Sequence, residues 1–247
     1  LASMLVVGGC RYMLRVNPPE VTSLQCVGTP MVGLPLVPTV EVAFCNAEDL
    51  DWVWQRLDDG VTVGHARSYT PSKADAGSQL QVRAEPPQMS TGEAGSKLFG
   101  VMEWRFNEPV NMGPEDIACS GARSAALDAA TATLRREHDN VFRVISYNAL
   151  ADAYRHCWPE TFPYCDPGAF DPKVRLQLCK SEIAAYHGDV ICLQEVDAQW
   201  FSDFWAPQFQ ADGYSMHHTP KVSESNEGCA IFVRQSVFEL LEIHQLH

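Results

Sequence analysis

At 247 residues, with 46% hydrophobic and 20% charged content, the chain is long enough for one large domain or two ordinary ones and too apolar to be disordered. A formal net charge of −13 argues against an architectural nucleic-acid binder, whose affinity rests on Lys and Arg at phosphates. It leaves room for an enzyme that grips one phosphate through a metal ion.

No apolar run approaches the roughly 20 residues of a membrane helix, so no membrane partner is expected. The "MLVV" near the start is too short for a signal peptide, and residue 1 is Leu, so the chain is expected to be trimmed or a fragment. The nine cysteines are scattered, with no CxxC pair, and Cys192 and Cys229 sit inside apolar runs. That usage fits reduced thiols packed as small hydrophobes in an intracellular compartment and argues against zinc.

Residues 1–110 read as an all-β leader domain. "TVEVAF" (39–44), "DWVWQRL" (51–57) and "QLQVRAE" (79–85) alternate apolar and polar residues, and "NPP", "DDG" and "EPP" mark turns between such runs. The spacing suggests an Ig-like β-sandwich. Trp52 and Trp54 fall on one face, and with Tyr69 could form either sandwich core or an RNA-stacking surface; core is the expected role. "QMSTGEAGS" (88–96) reads as a loop and "LFGVMEWRF" (98–106) as a further strand. Residues 111–140 read as linker, with the Ala-rich 120–140 stretch a helix or mobile connector and the domain boundary near 138.

Residues 141–247 alternate strand and helix. "VFRVISYNAL" (141–150) is an expected strand, followed by a Pro/Tyr-rich loop. A helix is expected over 171–188, with Asp171 as cap, Pro172 in the first position, Leu176, Cys179, Ile183 and Tyr186 at helical spacing, and Gly188 as stop. "DVICLQEVD" (189–197) is an expected strand, "AQWFSDFWAPQFQADG" (198–213) a helical stretch broken or kinked at Pro207, and "GCAIFVR" (228–234) and "FELLEIH" (238–244) are two more expected strands.

Two apolar strands end in polar pairs, Tyr147-Asn148 and Gln194-Glu195. A carboxylate closing a buried strand must be paired, hydrogen-bonded or metal-bound. If the strand–helix–strand unit makes these strands neighbours, Asn148 and Glu195 share one end of a sheet. An amide oxygen beside one carboxylate suits Mg²⁺, which takes hard oxygen ligands and keeps several waters. Such a centre suits phosphate-ester hydrolysis. The bland alternative is a turn-capping Asn148 and an ion-paired Glu195.

"VISYNALAD", "FPYCDP", "DVICLQEVD" and "EGCAIFVR", in that order, resemble the first half of the endonuclease/exonuclease/phosphatase superfamily, nearest its deadenylase and 2′,5′-phosphodiesterase branch. "YMLRVNPPEVTSL" and "RSYTPSKADAGSQLQV" resemble the β-rich leader of that branch. The resemblance implies the first half of a four-layer α/β sandwich, helices outside two packed sheets, with open edges and an exposed apolar face where the second half is lacking. It implies Glu195 as the main protein ligand of catalytic Mg²⁺, Asn148 beside it, and single-stranded RNA 3′ ends or oligoadenylate as substrate, with 5′-AMP released. The family's later motifs, Thr-His, Gly-Asp-Phe-Asn and Ser-Asp-His, do not occur before His247, so these residues are expected to be part of a longer protein and inactive alone.

His217 and His218, read as loop residues, are left unassigned. Lys221 stands where the family has a basic residue near substrate, or is a solvated lysine. Gly228, after Glu227 in a loop, is read as backbone geometry. Other functions weighed are an abasic-site endonuclease, a lipid or inositol phosphatase, and a non-catalytic scaffold that binds protein through the sandwich. Mitochondrial and cytoplasmic locations remain open.

Overall fold

The computed structural model describes residues 2–15, 17–87, 100–113, 119–138, 140–165, 167–221 and 226–245. They form two compact units, one of residues 1–26 and 30–111, the other of residues 27–29 and 112–247. Among the described residues no helix is long and apolar enough to cross a membrane.

The first unit is built from antiparallel strands. β1 (Ala2–Val7) and β2 (Cys10–Arg15) form a hairpin, and β3 (Glu20–Gln25) pairs with β4 (Thr39–Ala43). A four-stranded sheet has the order β6-β5-β7-β8, from β5 (Asp51–Arg56), β6 (Thr62–Gly64), β7 (Leu80–Glu85) and β8 (Met102–Arg105). Alternation drives Trp52 and Trp54 inward, and Val21, Leu24, Leu36, Leu80 and Val82 close one core around them. Trp54 is fully buried, its Nε1 donates to Ala66 O at 3.0 Å, and its ring lies against Tyr69 and Phe106. These aromatics are core, so they offer no stacking surface to RNA. The loop expected at 88–96 lies outside the described residues.

Asp75 is the unusual polar group of this core, at 1% exposure. Its Oδ2 accepts Tyr69 OH, Ser72 N and Ser72 Oγ, each at 2.7 Å, and Arg56 Nη1 lies 3.4 Å from Oδ1. Burial alone would raise the carboxyl, but the Tyr69 and Ser72 hydrogen bonds and the Arg56 charge outweigh it and hold it below the ordinary value.

In the second unit α1 (Cys119–Glu137) is a regular helix. It is tied down: Ser124 Oγ donates to Ala185 O at 2.5 Å, and the Arg143 guanidinium reaches Asp128 and Thr131. The stretch is thus a docked helix rather than a mobile connector. β9 (Val144–Asn148) leads through a short helix, α2 (Trp158–Thr161), to α3 (Pro172–Ala185) and then β10 (Val190–Asp197). β9 and β10 are parallel neighbours, as a strand–helix–strand crossover requires. β11 (Tyr214–Pro220) and β12 (Glu227–Arg234) complete a mixed sheet of order β11-β12-β10-β9.

α3 begins as its sequence dictates, with the Asp171 carboxylate accepting Lys173 N at 2.9 Å and Pro172 in the first turn. Its end differs. The left-handed residue is His187, at φ 51°, not Gly188. Gly188 is needed for space instead, because a Cβ there would come within 2.6 Å of Ile145. The next helical stretch runs α4 (Ala198–Trp200), a π-turn over Phe201–Trp205, then α5 (Ala206–Ala211). Pro207 has no N–H to give and its ring crowds the carbonyl four residues back, so the ladder widens just before it.

Leu176 and Ile183 of α3, with Phe204, Trp205 and Phe209, cover one face of the sheet over Ile191, Leu193 and Phe232. The other face leaves Val144 and Ile231 exposed, and β9 and β11 are its edges among the described residues. "FELLEIH" is not a strand: residues 238–244 have no ladder partner, and Leu240, Leu241 and Ile243 stand exposed.

Candidate active site

The strand ends bring the two singled-out residues together. Gln194 pairs with Asn148 in the β9–β10 register, and Asn148 Nδ2 donates to Glu195 Oε1 at 2.8 Å. Glu195 sits in a β-bulge, where the β10–β12 register slips between Leu193 and Val196, and its φ is 55°. The bulge turns the carboxylate off the strand's alternation and aims it at the turn after β9. There Ala151 N donates to Glu195 Oε2 at 3.2 Å, and Leu150 N donates to Asn148 Oδ1 at 2.8 Å.

That turn is held from behind. Ala149 N donates to Gln194 O at 2.8 Å, Arg175 of α3 donates to Ala149 O and pairs with Asp152 at 3.0 Å, and Trp200 Nε1 donates to Asp152 Oδ2 at 2.7 Å. Asp197 Oδ2 accepts Asp152 N at 2.9 Å. Burial, with the nearby Asp152 charge adding to it, raises the Asp197 carboxyl above its ordinary value despite that hydrogen bond. A raised carboxyl means that ionising Asp197 costs folding stability as pH rises from its unfolded toward its folded pKa. Asp197→Asn keeps the acceptor and removes the charge. It is expected to raise stability at neutral pH by no more than about 1 kcal/mol after solvent screening, read as a small rise in the thermal midpoint. The gain should vanish below the ordinary carboxylate pKa, and a gain that persists in acid would refute this account.

Glu195 opens into a cleft of about 740 Å³ also lined by Tyr154, Thr219, Lys221, Glu227 and His244. Glu227 starts β12 rather than lying in a loop, and it is 4% exposed. Gly228 is there because a Cβ would meet Thr219 O at 2.1 Å. His217 and His218 lie on β11, not in a loop: His218 Nε2 is 3.0 Å from Val196 O with its ring stacked on Phe201, and His217 meets Gln245. Sequence reasoning missed Tyr154, Asp152 and Arg175, which carry no strand-end signature.

The resemblance implies a divalent cation, and Glu195 suits one. It is half-buried, it accepts from the neutral donors Asn148 Nδ2 and Ala151 N, and among the described residues no Lys, Arg or His forms an ion pair with it. Asn148 meets it through the amide nitrogen, which orients the carboxylate, and its amide oxygen accepts Leu150 N while keeping a second lone pair. Among the described residues no three His, Cys, Asp or Glu side chains converge.

Residues 145–245 match the family model described as Endonuclease/Exonuclease/phosphatase family. Residues 145–245 of the chain belong to that superfamily. Similar proteins include 2′,5′-phosphodiesterases and CCR4 proteins. It is 30% identical to 2′,5′-phosphodiesterase 12 of Mus musculus over 99% of this chain and 42% of that protein. It is 28% identical to carbon catabolite repressor protein 4 homolog 2 of Arabidopsis thaliana over 72% of this chain and 30% of that one. It is 30% identical to the CCR4-Not complex 3′-5′-exoribonuclease subunit Ccr4 of Candida albicans over 42% of this chain and 14% of that one. The chain thus spans less than half the length of these superfamily relatives.

Proposed function

We propose that the chain is the leader and the front of the catalytic domain of a Mg²⁺-dependent phosphodiesterase that shortens oligoadenylate or poly(A) from its 3′ end and releases 5′-AMP. In this reading the first unit is an Ig-like sandwich and the second is the first half of a four-layer α/β sandwich. The carrying observation is Glu195, turned out of its strand by a bulge and held by Asn148 and Ala151 at the mouth of a cleft. The names of the similar proteins, a 2′,5′-phosphodiesterase and a 3′-5′-exoribonuclease, support the substrate class.

Glu195 would hold the cation, and Mg²⁺ bound there supplies polarisation of the phosphoryl oxygen and offsets charge on the leaving oxygen. Asn148 and the Ala151 N–H fix the carboxylate's orientation. The Asp152–Arg175 pair keeps that N–H in place.

The test is release of AMP from 2′,5′- and 3′,5′-linked oligoadenylate by the full-length protein, with Mg²⁺ and with excess EDTA. Release that EDTA stops is expected. Turnover of abasic DNA or an inositol phosphate, with both oligoadenylates left intact, would overturn the reading.

A further inference from the structure

The Glu195 cleft contains a second set of titratable groups that the proposed reaction leaves without a role. Glu227 Oε1 accepts Tyr154 OH at 3.1 Å and Lys221 Nζ at 3.0 Å. A carboxylate this buried needs such donors. Lys221 directly follows β11, and its backbone N also donates to Glu227 O at 2.8 Å. Main chain and side chain are therefore fixed to one residue, at the narrow hairpin crossing that Gly228 permits.

The rest of Lys221 is open, with its side chain 57% exposed. An ammonium carries three N–H donors; Glu227 takes one and the Tyr154 hydroxyl stands against a second, which leaves one for a ligand. Among the described lining residues Lys221 is the only Lys or Arg, in a chain of net charge −13. The Glu227 hydrogen bond holds it above the ordinary lysine value, so it stays charged. A lysine whose sole task was to neutralise Glu227 would gain nothing from facing the cleft. A lysine that must meet a phosphate gains from being held still before the substrate arrives.

We infer that Glu227 and Tyr154 are positioning residues that present the Lys221 ammonium to a backbone phosphate of the strand bound in the Glu195 cleft. This rests on the phosphodiesterase reading above. The contact is to a phosphate oxygen, so it is indifferent to base identity.

The test reads binding without turnover: anisotropy of a labelled phosphorothioate oligoadenylate with the full-length protein across a salt series. Lys221→Gln is expected to weaken binding about tenfold and to reduce the slope of log K against log salt by about 0.7, one single-strand phosphate contact. Lys221→Arg should retain that slope. Tyr154→Phe, which deletes only the hydroxyl, should weaken binding several-fold in the wild-type background and not at all beside Lys221→Gln. If removing the ammonium beside the buried Glu227 carboxylate unfolds the protein, Lys221→Gln combined with Glu227→Gln removes both charges and gives the same reading. An unchanged slope in Lys221→Gln, or an equal Tyr154→Phe effect in both backgrounds, would overturn the inference. Failure of the phosphodiesterase reading shows separately, as wild-type protein that binds oligoadenylate and releases no AMP.

Discussion

Glu195→Ala in the full-length protein is expected to lower Mg²⁺-dependent AMP release by about 10²–10³-fold, the range seen when one main electrostatic contributor to a transition state is lost. The fold should survive, because the side chain lies at the cleft, where water can enter the space it leaves beside the exposed Asn148 and reach the Ala151 N–H. Asn148→Ala should do less, because Ala151 still holds the carboxylate: activity falls and the Mg²⁺ concentration needed for half-maximal rate rises. The checks are initial rates over a Mg²⁺ titration, with circular dichroism on each variant. Full activity in Glu195→Ala at saturating Mg²⁺ would remove this residue from the chemistry. A nuclease-like scaffold would keep its partner binding through the same change.

Asp75→Ala is expected to destabilise the first unit by about 3–5 kcal/mol, the cost of breaking a buried charged network by deleting one partner. Tyr69 OH and Ser72 lose their acceptor at once, and Arg56 loses its buried counter-charge. Because the Asp75 carboxyl is held low, its contribution is present above the ordinary carboxylate pKa and is lost as pH falls through the lower, folded-state value. Hydrogen exchange separates the units: amides of β5 and β7 should lose protection while those of β10 and β12 keep theirs. Asp75→Asn, which keeps one oxygen acceptor, should lie between the two. Undiminished protection in β5 and β7 of Asp75→Ala would show that the network contributes little.

Local signals carried much of the second unit. The Asp171-Pro172 start of α3, the apolar runs of β9 and β10, and the polar pairs that end them were legible because each depends on neighbours in sequence. What failed depends on partners far along the chain. "FELLEIH" alternates well enough, but a strand exists only where another strand completes its hydrogen bonds. Tyr154 and Glu227 lie 73 residues apart, and nothing in "ADAYRHC" announces that its tyrosine will reach a buried carboxylate. That Asn148 would turn its nitrogen toward Glu195 was not legible either, since its oxygen accepts the N–H of Leu150 two residues on. Gly188 was noticed for a torsional reason, and its actual reason is the isoleucine packed above it.

The left-handed backbone at Glu195 has an evolutionary corollary. A non-glycine residue pays about 1 kcal/mol or more to stand there, and glycine would not. Selection for robustness alone would drift this position toward glycine, at the expense of the only carboxylate the bulge presents beside Asn148. If Glu195 holds the cation as proposed, a lineage that keeps the hydrolysis keeps this taut joint at the end of β10, and one that loses it can relax there.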